Sequence, residues 1–250
     1  YSIWLATVVV SGISYLSYLL KRYVFHESGT LVSGIIGGLY SSTATISVLA
    51  RKSRKASEQE ATEYVAAMLL AVSMMFLRFM ILILIFSREI FLSIYPYLLI
   101  MSVVSAIVGW FIHSRQKLPK DTSVESEEDD SSNPLEFKVA LIFAVLFVVF
   151  TVLTHYTLVY AGTSGLNLLS FVSGFSDITP FILNLLQNTG SVAVLIITAC
   201  SMQAIVSNIL VNMFYALFFA GKRSKLRPWI LGGFGAVIAC NLVLLLFFYL

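Results

Sequence analysis

Gly38-Leu39-Tyr40-Ser41-Ser42-Thr43-Ala44-Thr45 in the first half of the chain and Gly174-Phe175-Ser176-Asp177-Ile178-Thr179-Pro180 in the second are the stretches on which the fold turns. Each places glycine and hydroxyl side chains in the middle of an otherwise apolar run. Thr179-Pro180 reads as a helix start, since threonine can cap free N–H groups and proline suits the first turn. Gly37 and Gly38, followed by Ser41-Ser42-Thr43, mark a similar interruption. A helix from Ala44 to Arg51 would rise only about 12 Å, less than half of the roughly 30 Å hydrocarbon core of a bilayer. Both stretches therefore read as breaks rather than continuous rods. The competing reading is an unbroken helix whose small residues permit close packing.

Around these breaks lie eight apolar stretches, at 3–20, 29–50, 64–86, 91–112, 137–161, 165–187, 191–220 and 228–250. The 250 residues are 58% hydrophobic and 12% charged, with mean hydropathy +0.90. Soluble domains carry about 25% charged residues, and one of this size could not hide so much apolar surface. Helices are the expected form, because lipid leaves every backbone polar group to be satisfied internally. The expectation is an all-α polytopic membrane protein whose first partner is the bilayer. No basic stripe suggests nucleic acid. The stretch before Lys21 has neither the basic n-region nor the cleavage site of a signal peptide.

Residues 114–136 are polar and acidic, with two prolines, and read as a disordered linker. They divide the chain into membrane repeats at 1–113 and 137–250. Gly38 onward matches Gly174 onward, Ala71–Phe86 matches Ala204–Phe219, and Pro96-Tyr97-Leu98-Leu99 matches Pro228-Trp229-Ile230-Leu231, in the same order, which argues for an internal duplication. With eight crossings the Lys and Arg residues outside the spans divide seven against eight. If 29–50 and 165–187 instead enter and return on one side, the division becomes fourteen against one, with Arg88 alone on the minor side. Positive-inside statistics favour the second arrangement. It predicts two inverted repeats, each of three spanning helices plus one broken or re-entrant helix, with the linker in the cytoplasm.

Half-helix ends meeting near the midplane are the means by which many secondary transporters hold substrate. Ser41, Ser42, Thr43, Thr45, Ser176 and Thr179 would line such a place. Arg78 and Asp177 are charges within apolar surroundings, costing at least about 2.5–3.5 kcal/mol each on insertion scales. Asp177 reads as a proton or cation site or as a turn-capping residue, Arg78 as an anion-binding group, a gate or a member of a structural ion pair. Asn208 and Asn212 share a helix face and could line the cavity or join helices, as could Gln203 and Ser207. The basic cluster Arg51-Lys52-Ser53-Arg54-Lys55 reads as a topology signal and lipid-headgroup contact.

No Ser–His–Asp pattern, phosphate loop or paired intramembrane carboxylates can be assembled, and His26, His113 and His155 lack metal spacing. Cys200 and Cys240 each stand alone in apolar runs. The expectation is a non-enzyme without cofactor or metal.

The stretch from Gly38 to Thr45 with Leu49-Ala50-Arg51-Lys52-Ser53-Arg54 resembles the "GLxSSTATT…LARRSR" stretch of an uncharacterised membrane domain that follows the MgtC/SapB domain in bacterial MgtC-like proteins. Met75-Phe76-Leu77-Arg78 resembles that family's "MFxR" helix. Gly174–Thr179 resembles its "GLADVDAIT" motif, departing where Pro180 and Phe181 replace small and polar residues. The resemblance implies a bacterial inner-membrane location and supplies no biochemical activity. Together these readings predict a transporter or channel for a small ion or small organic ion. The alternative is a non-transporting membrane regulator or scaffold, and lipid handling is a third option. Substrate, coupling ion and homo-oligomerisation stay open.

Overall fold

A computed structural model describes residues 2–19, 29–54, 58–115, 137–187, 192–221 and 226–249. Beyond Arg115, the expected linker lies outside the described residues. The elements are α1 (Ser2–Leu19), α2 (Thr30–Lys52), α3 (Glu58–Phe86), α4 (Arg88–Ser114), α5 (Phe137–Ser173), α6 (Ile178–Gln187), α7 (Val194–Ala220) and α8 (Arg227–Tyr249), with no strand among the described residues. Six segments are long and apolar enough to cross a membrane: Thr30–Lys52, Thr62–Phe86, Arg88–Ser114, Ala144–Ser173, Val194–Ala220 and Arg227–Phe247. Outward-facing Ile107, Trp110, Val159 and Phe247 are 61% to 78% exposed, an apolar exterior suited to lipid. The expected all-helical membrane architecture is what is found.

Two of those six segments do not run straight. Ser41 within α2 has extended φ/ψ of −157° and 108°. The chain reverses there, as the neighbours of Gly37 establish. A Cβ built on Gly37 would lie 2.5 Å from Thr45 Oγ1, whereas residues eight apart in a straight helix are separated by about 12 Å. Residues 30–40 (α2a) and 42–52 (α2b) are thus the arms of a hairpin, each about 16 Å long by helical rise. The turn into α4 has nearly the same form, with Ser87 at φ −154° and ψ 105°. α3 and α4 are antiparallel about it, tied by Ser73 Oγ to Ser102 O at 2.8 Å and Ser102 Oγ to Ser73 O at 3.1 Å.

In α5 the interruption is Gly162, at φ 57° and ψ −147°, a conformation that favours glycine. A Cβ on Gly165 would lie 2.8 Å from Thr157 Cγ2, again eight residues away. Residues 163–173 (α5b) therefore fold back on 137–161 (α5a). The expected stretches 137–161 and 165–187 meet at this reversal, and the second contains the further turn between α5 and α6.

α2a runs parallel to α3 in backbone contact. Gly34 abuts the Ala67 backbone, and a Cβ on Gly38 would sit 2.6 Å from Ala71 Cα. This register leaves the α2 tip about halfway along the apolar part of α3. α5b runs parallel to α7 in the same register, with Ser170 Oγ 3.0 Å from Gln203 Oε1 and Gly174 pressed on Ser207.

Gly38→Ala should accordingly destabilise the protein by about 1–3 kcal/mol through overpacking, read as a lower unfolding midpoint in detergent. Gly232→Ala, where an added Cβ meets nothing within 4 Å, should leave the midpoint unchanged; equal midpoints for both variants would remove the close α2a–α3 contact from the account.

Candidate functional site

A helix reversed within the apolar layer leaves carbonyls without donors on one side of the turn and N–H groups without acceptors on the other. In an unbroken α2, Ala44 N–H would donate to Tyr40 O. Instead it donates to Ser41 Oγ at 3.3 Å, so Ser41 caps the start of α2b. Tyr40 O receives its donor from α3, where Arg78 Nη1 lies 2.7 Å away.

The same guanidinium reaches the turn that joins α5b to α6. Arg78 Nη2 donates to Thr179 Oγ1 at 2.6 Å, and Thr179 is the second residue of α6. Arg78 is 9% exposed and Thr179 1%. The cap expected from Thr179 is supplied by Asp177, whose Oδ1 accepts from Thr179 N at 3.0 Å; the threonine hydroxyl is left for Arg78. Pro180 still falls in the first turn, where its missing N–H leaves no helix bond unmade. Asp177 is exposed and close enough for its charge to act on Arg78. The connected path runs from Asp177 through Thr179 and Arg78 to Tyr40, joining the α5b–α6 turn to the α2 reversal 137 positions earlier.

α7 supports the tip of α5b in a comparable way. Ser207 Oγ donates to Phe171 O at 2.6 Å and Asn208 Nδ2 to Gly174 O at 3.2 Å. Asn212 Nδ2 donates to Asn208 Oδ1 at 3.1 Å, and Asn212 Oδ1 is buried without a hydrogen-bond partner. The tip of α2a and the end of α5b thus each have carbonyls held by the long helix that follows, α3 and α7.

The sequence-predicted residues separate into groups. Arg78, Asp177, Thr179 and Ser41 meet at the two reversals. Asn208 and Asn212 stand behind the tip of α5b. Ser42 is buried at 7% exposure, Thr43 and Thr45 are half-buried, and Thr45 faces Gly37 inside the hairpin. Ser176 is exposed, with its hydroxyl 3.2 Å from Ser173 O. Tyr40 was not anticipated, because it contributes a backbone carbonyl that no residue type announces. Gly162 was missed as well; its place at the end of an apolar run was the available signal. Cys200 is buried with Sγ 3.4 Å from Asn167 Oδ1.

These features define a polytopic α-helical membrane protein with reversals inside its apolar layer, joined by one arginine. The chain belongs to the family described as Domain of unknown function (DUF4010), which matches residues 8–220. It is 26% identical over 224 residues to an "Uncharacterized protein" of Aquifex aeolicus (strain VF5), covering 88% of this chain and 96% of that one. No solved structure matches it.

Thr179→Val keeps the volume and removes the hydroxyl that Arg78 grips, and should cost about 1.5–3 kcal/mol, the range for a hydrogen bond to a charged group. Thr179→Ser should recover most of that loss. Unfolding midpoints in detergent would show it, and a valine variant as stable as the parent would contradict the bond's importance.

Proposed function

We propose that this protein is a transporter or channel for a small ion or small organic ion, working from a site between the α2 and α5b–α6 reversals. The carrying observation is that Arg78 bonds both reversals at once. Reversed backbone at membrane depth is tolerated where protein covers it or where it lines a water-filled cavity. A charge at such depth without a direct counter-ion is the mark of a functional site.

The two charges take different parts in this reading. Arg78 is buried and holds the tips together. Asp177 is exposed and meets the ion, with Ser176 beside it. Thr43 and Ser42 from the other tip complete the surroundings, and Asn208 and Asn212 support them. No catalysis, cofactor or resident metal is assigned.

The reading includes two inverted repeats. Its support is the shared register of α2a on α3 and of α5b on α7, together with the antiparallel approach of α4 and α8, where Tyr97 OH donates to Asn241 Oδ1 at 2.6 Å and Gly233 faces Ile112. With the basic clusters inside, the linker is cytoplasmic and the location is the bacterial inner membrane. Kinship with the membrane domain of MgtC-like proteins rests on the motif similarity alone and carries no activity with it.

The rival is a non-transporting regulator or scaffold. What favours it is the burial of Arg78 and Thr179 against each other, which suits a dry tie between helices.

Purified protein in liposomes, assayed against a panel of small cations, anions and organic ions, should pass at least one species. Asp177→Asn should reduce that flux at least about tenfold, the scale on which one lost charge-assisted contact acts, while leaving the unfolding midpoint in place. A folded protein that passes none of the panel, and in which Thr43→Cys and Asp177→Cys are labelled from neither side, would establish the scaffold instead.

A further inference from the structure

The basic cluster at the end of α2 is not confined to marking topology. Arg54 Nη2 donates to Phe218 O at 3.1 Å. Arg51 lies over the Phe219 ring, its Cζ 4.4 Å from the centroid. Gly221 follows at φ 78°, so close to Arg54 that an added Cβ would fall 3.2 Å from Nε. Phe218 and Phe219 belong to the last turn of α7, where carbonyls lack helical donors and the helix dipole favours positive charge. Two arginines of one half of the chain therefore serve the C-terminal end of a helix in the other half.

We infer that this contact is a latch between the base of the α2 hairpin and the end of α7, closing the arginine-bearing side of the ion site; this rests on the transport reading above. The mechanical parts are in place. α2a is fixed, because Gly34 and Gly38 meet the α3 backbone directly. α2b joins α2a through a single extended residue, Ser41. Arg51 and Arg54 are exposed, so water can replace their contacts and the latch is reversible. α2b runs from the tip at Ser41–Thr43 down to the latch. Ile46, Leu49 and Ala50 of α2b are buried in the core, so opening has to part this packing as well as the arginine contacts. Once parted, α2b turns about Ser41 and opens a way from that side to Thr43, Thr179 and Arg78. Gly221 is part of the device, since its left-handed backbone brings the chain past Arg54 without a side chain.

The test uses Thr43→Cys as an accessibility probe in full-length protein in liposomes, with Cys200 and Cys240 replaced by serine. Adding Arg51→Ala and Arg54→Ala should raise labelling by an impermeant maleimide, applied from the arginine-bearing side, by about tenfold, as expected for loss of a charge-assisted hydrogen bond. In a second protein, Arg51→Cys and Phe219→Cys joined by a short bifunctional thiosulfonate should stop ion flux, and reducing the bridge should restore it. Undiminished flux in the bridged protein, or labelling that the alanine pair leaves unchanged while the protein with its native Thr43 still passes ions, overturns the latch and leaves the transport reading standing. Absence of flux and labelling in every variant, with the unfolding midpoint retained, overturns both.

Discussion

The structure depends on one guanidinium that satisfies backbone and side-chain oxygens from two reversals at once. Tyr40 O is released because α2 turns at Ser41, and in an apolar layer it has no water to turn to. Arg78 would itself be an uncompensated charge at that depth. Joining the two satisfies the carbonyl and offsets part of the cost of the charge, since the arginine donates to Tyr40 O and to Thr179 Oγ1. Lysine could not reproduce this, because its ammonium is a compact point charge without the two-pronged spread of the guanidinium.

The reversals themselves follow from small residues and short caps. A single extended serine turns the chain at Ser41 and again at Ser87, and in both places its hydroxyl accepts the N–H three residues on. What differs is the depth at which the turn falls. At Ser87 it lies at the end of two long helices. At Ser41 the arms are half as long, and the turn is held halfway along α3 by Gly34 and Gly38 against its backbone. A side chain at either glycine would push α2a outward and carry Tyr40 O away from Arg78. The close helix contact and the polar bridge are therefore coupled, and so are the tip of the hairpin and its base on α7.

Much of the architecture could be read from residues alone. Apolar runs of spanning length and the scarcity of charge require helices in lipid. The glycine, serine and threonine within two of those runs, and the uneven count of basic residues, pointed to interruption at 38–45 and 174–180. Arg78 and Asp177 were conspicuous because ionised side chains are rare at such depth. Their relation was less legible. A structural ion pair was one expectation, yet Thr179 stands between the two charges, accepting from one through its hydroxyl and donating to the other through its N–H. Arg51 and Arg54, read as a topology signal and headgroup contacts, also meet the end of α7.

Composition, run length and the placement of glycines and charges determined that this chain folds as helices in a membrane and where two of its interruptions fall, though not the one at Gly162. These are local properties, set by the transfer cost of each residue and the dihedral freedom of each backbone unit. Tertiary structure decided which oxygen Arg78 would find, that Thr179 would be its partner rather than a cap, and that Gly37 would lie beside Thr45. Those outcomes depend on the register of helices distant in sequence. A backbone carbonyl such as Tyr40 O carries no residue-specific mark until the fold places a donor beside it.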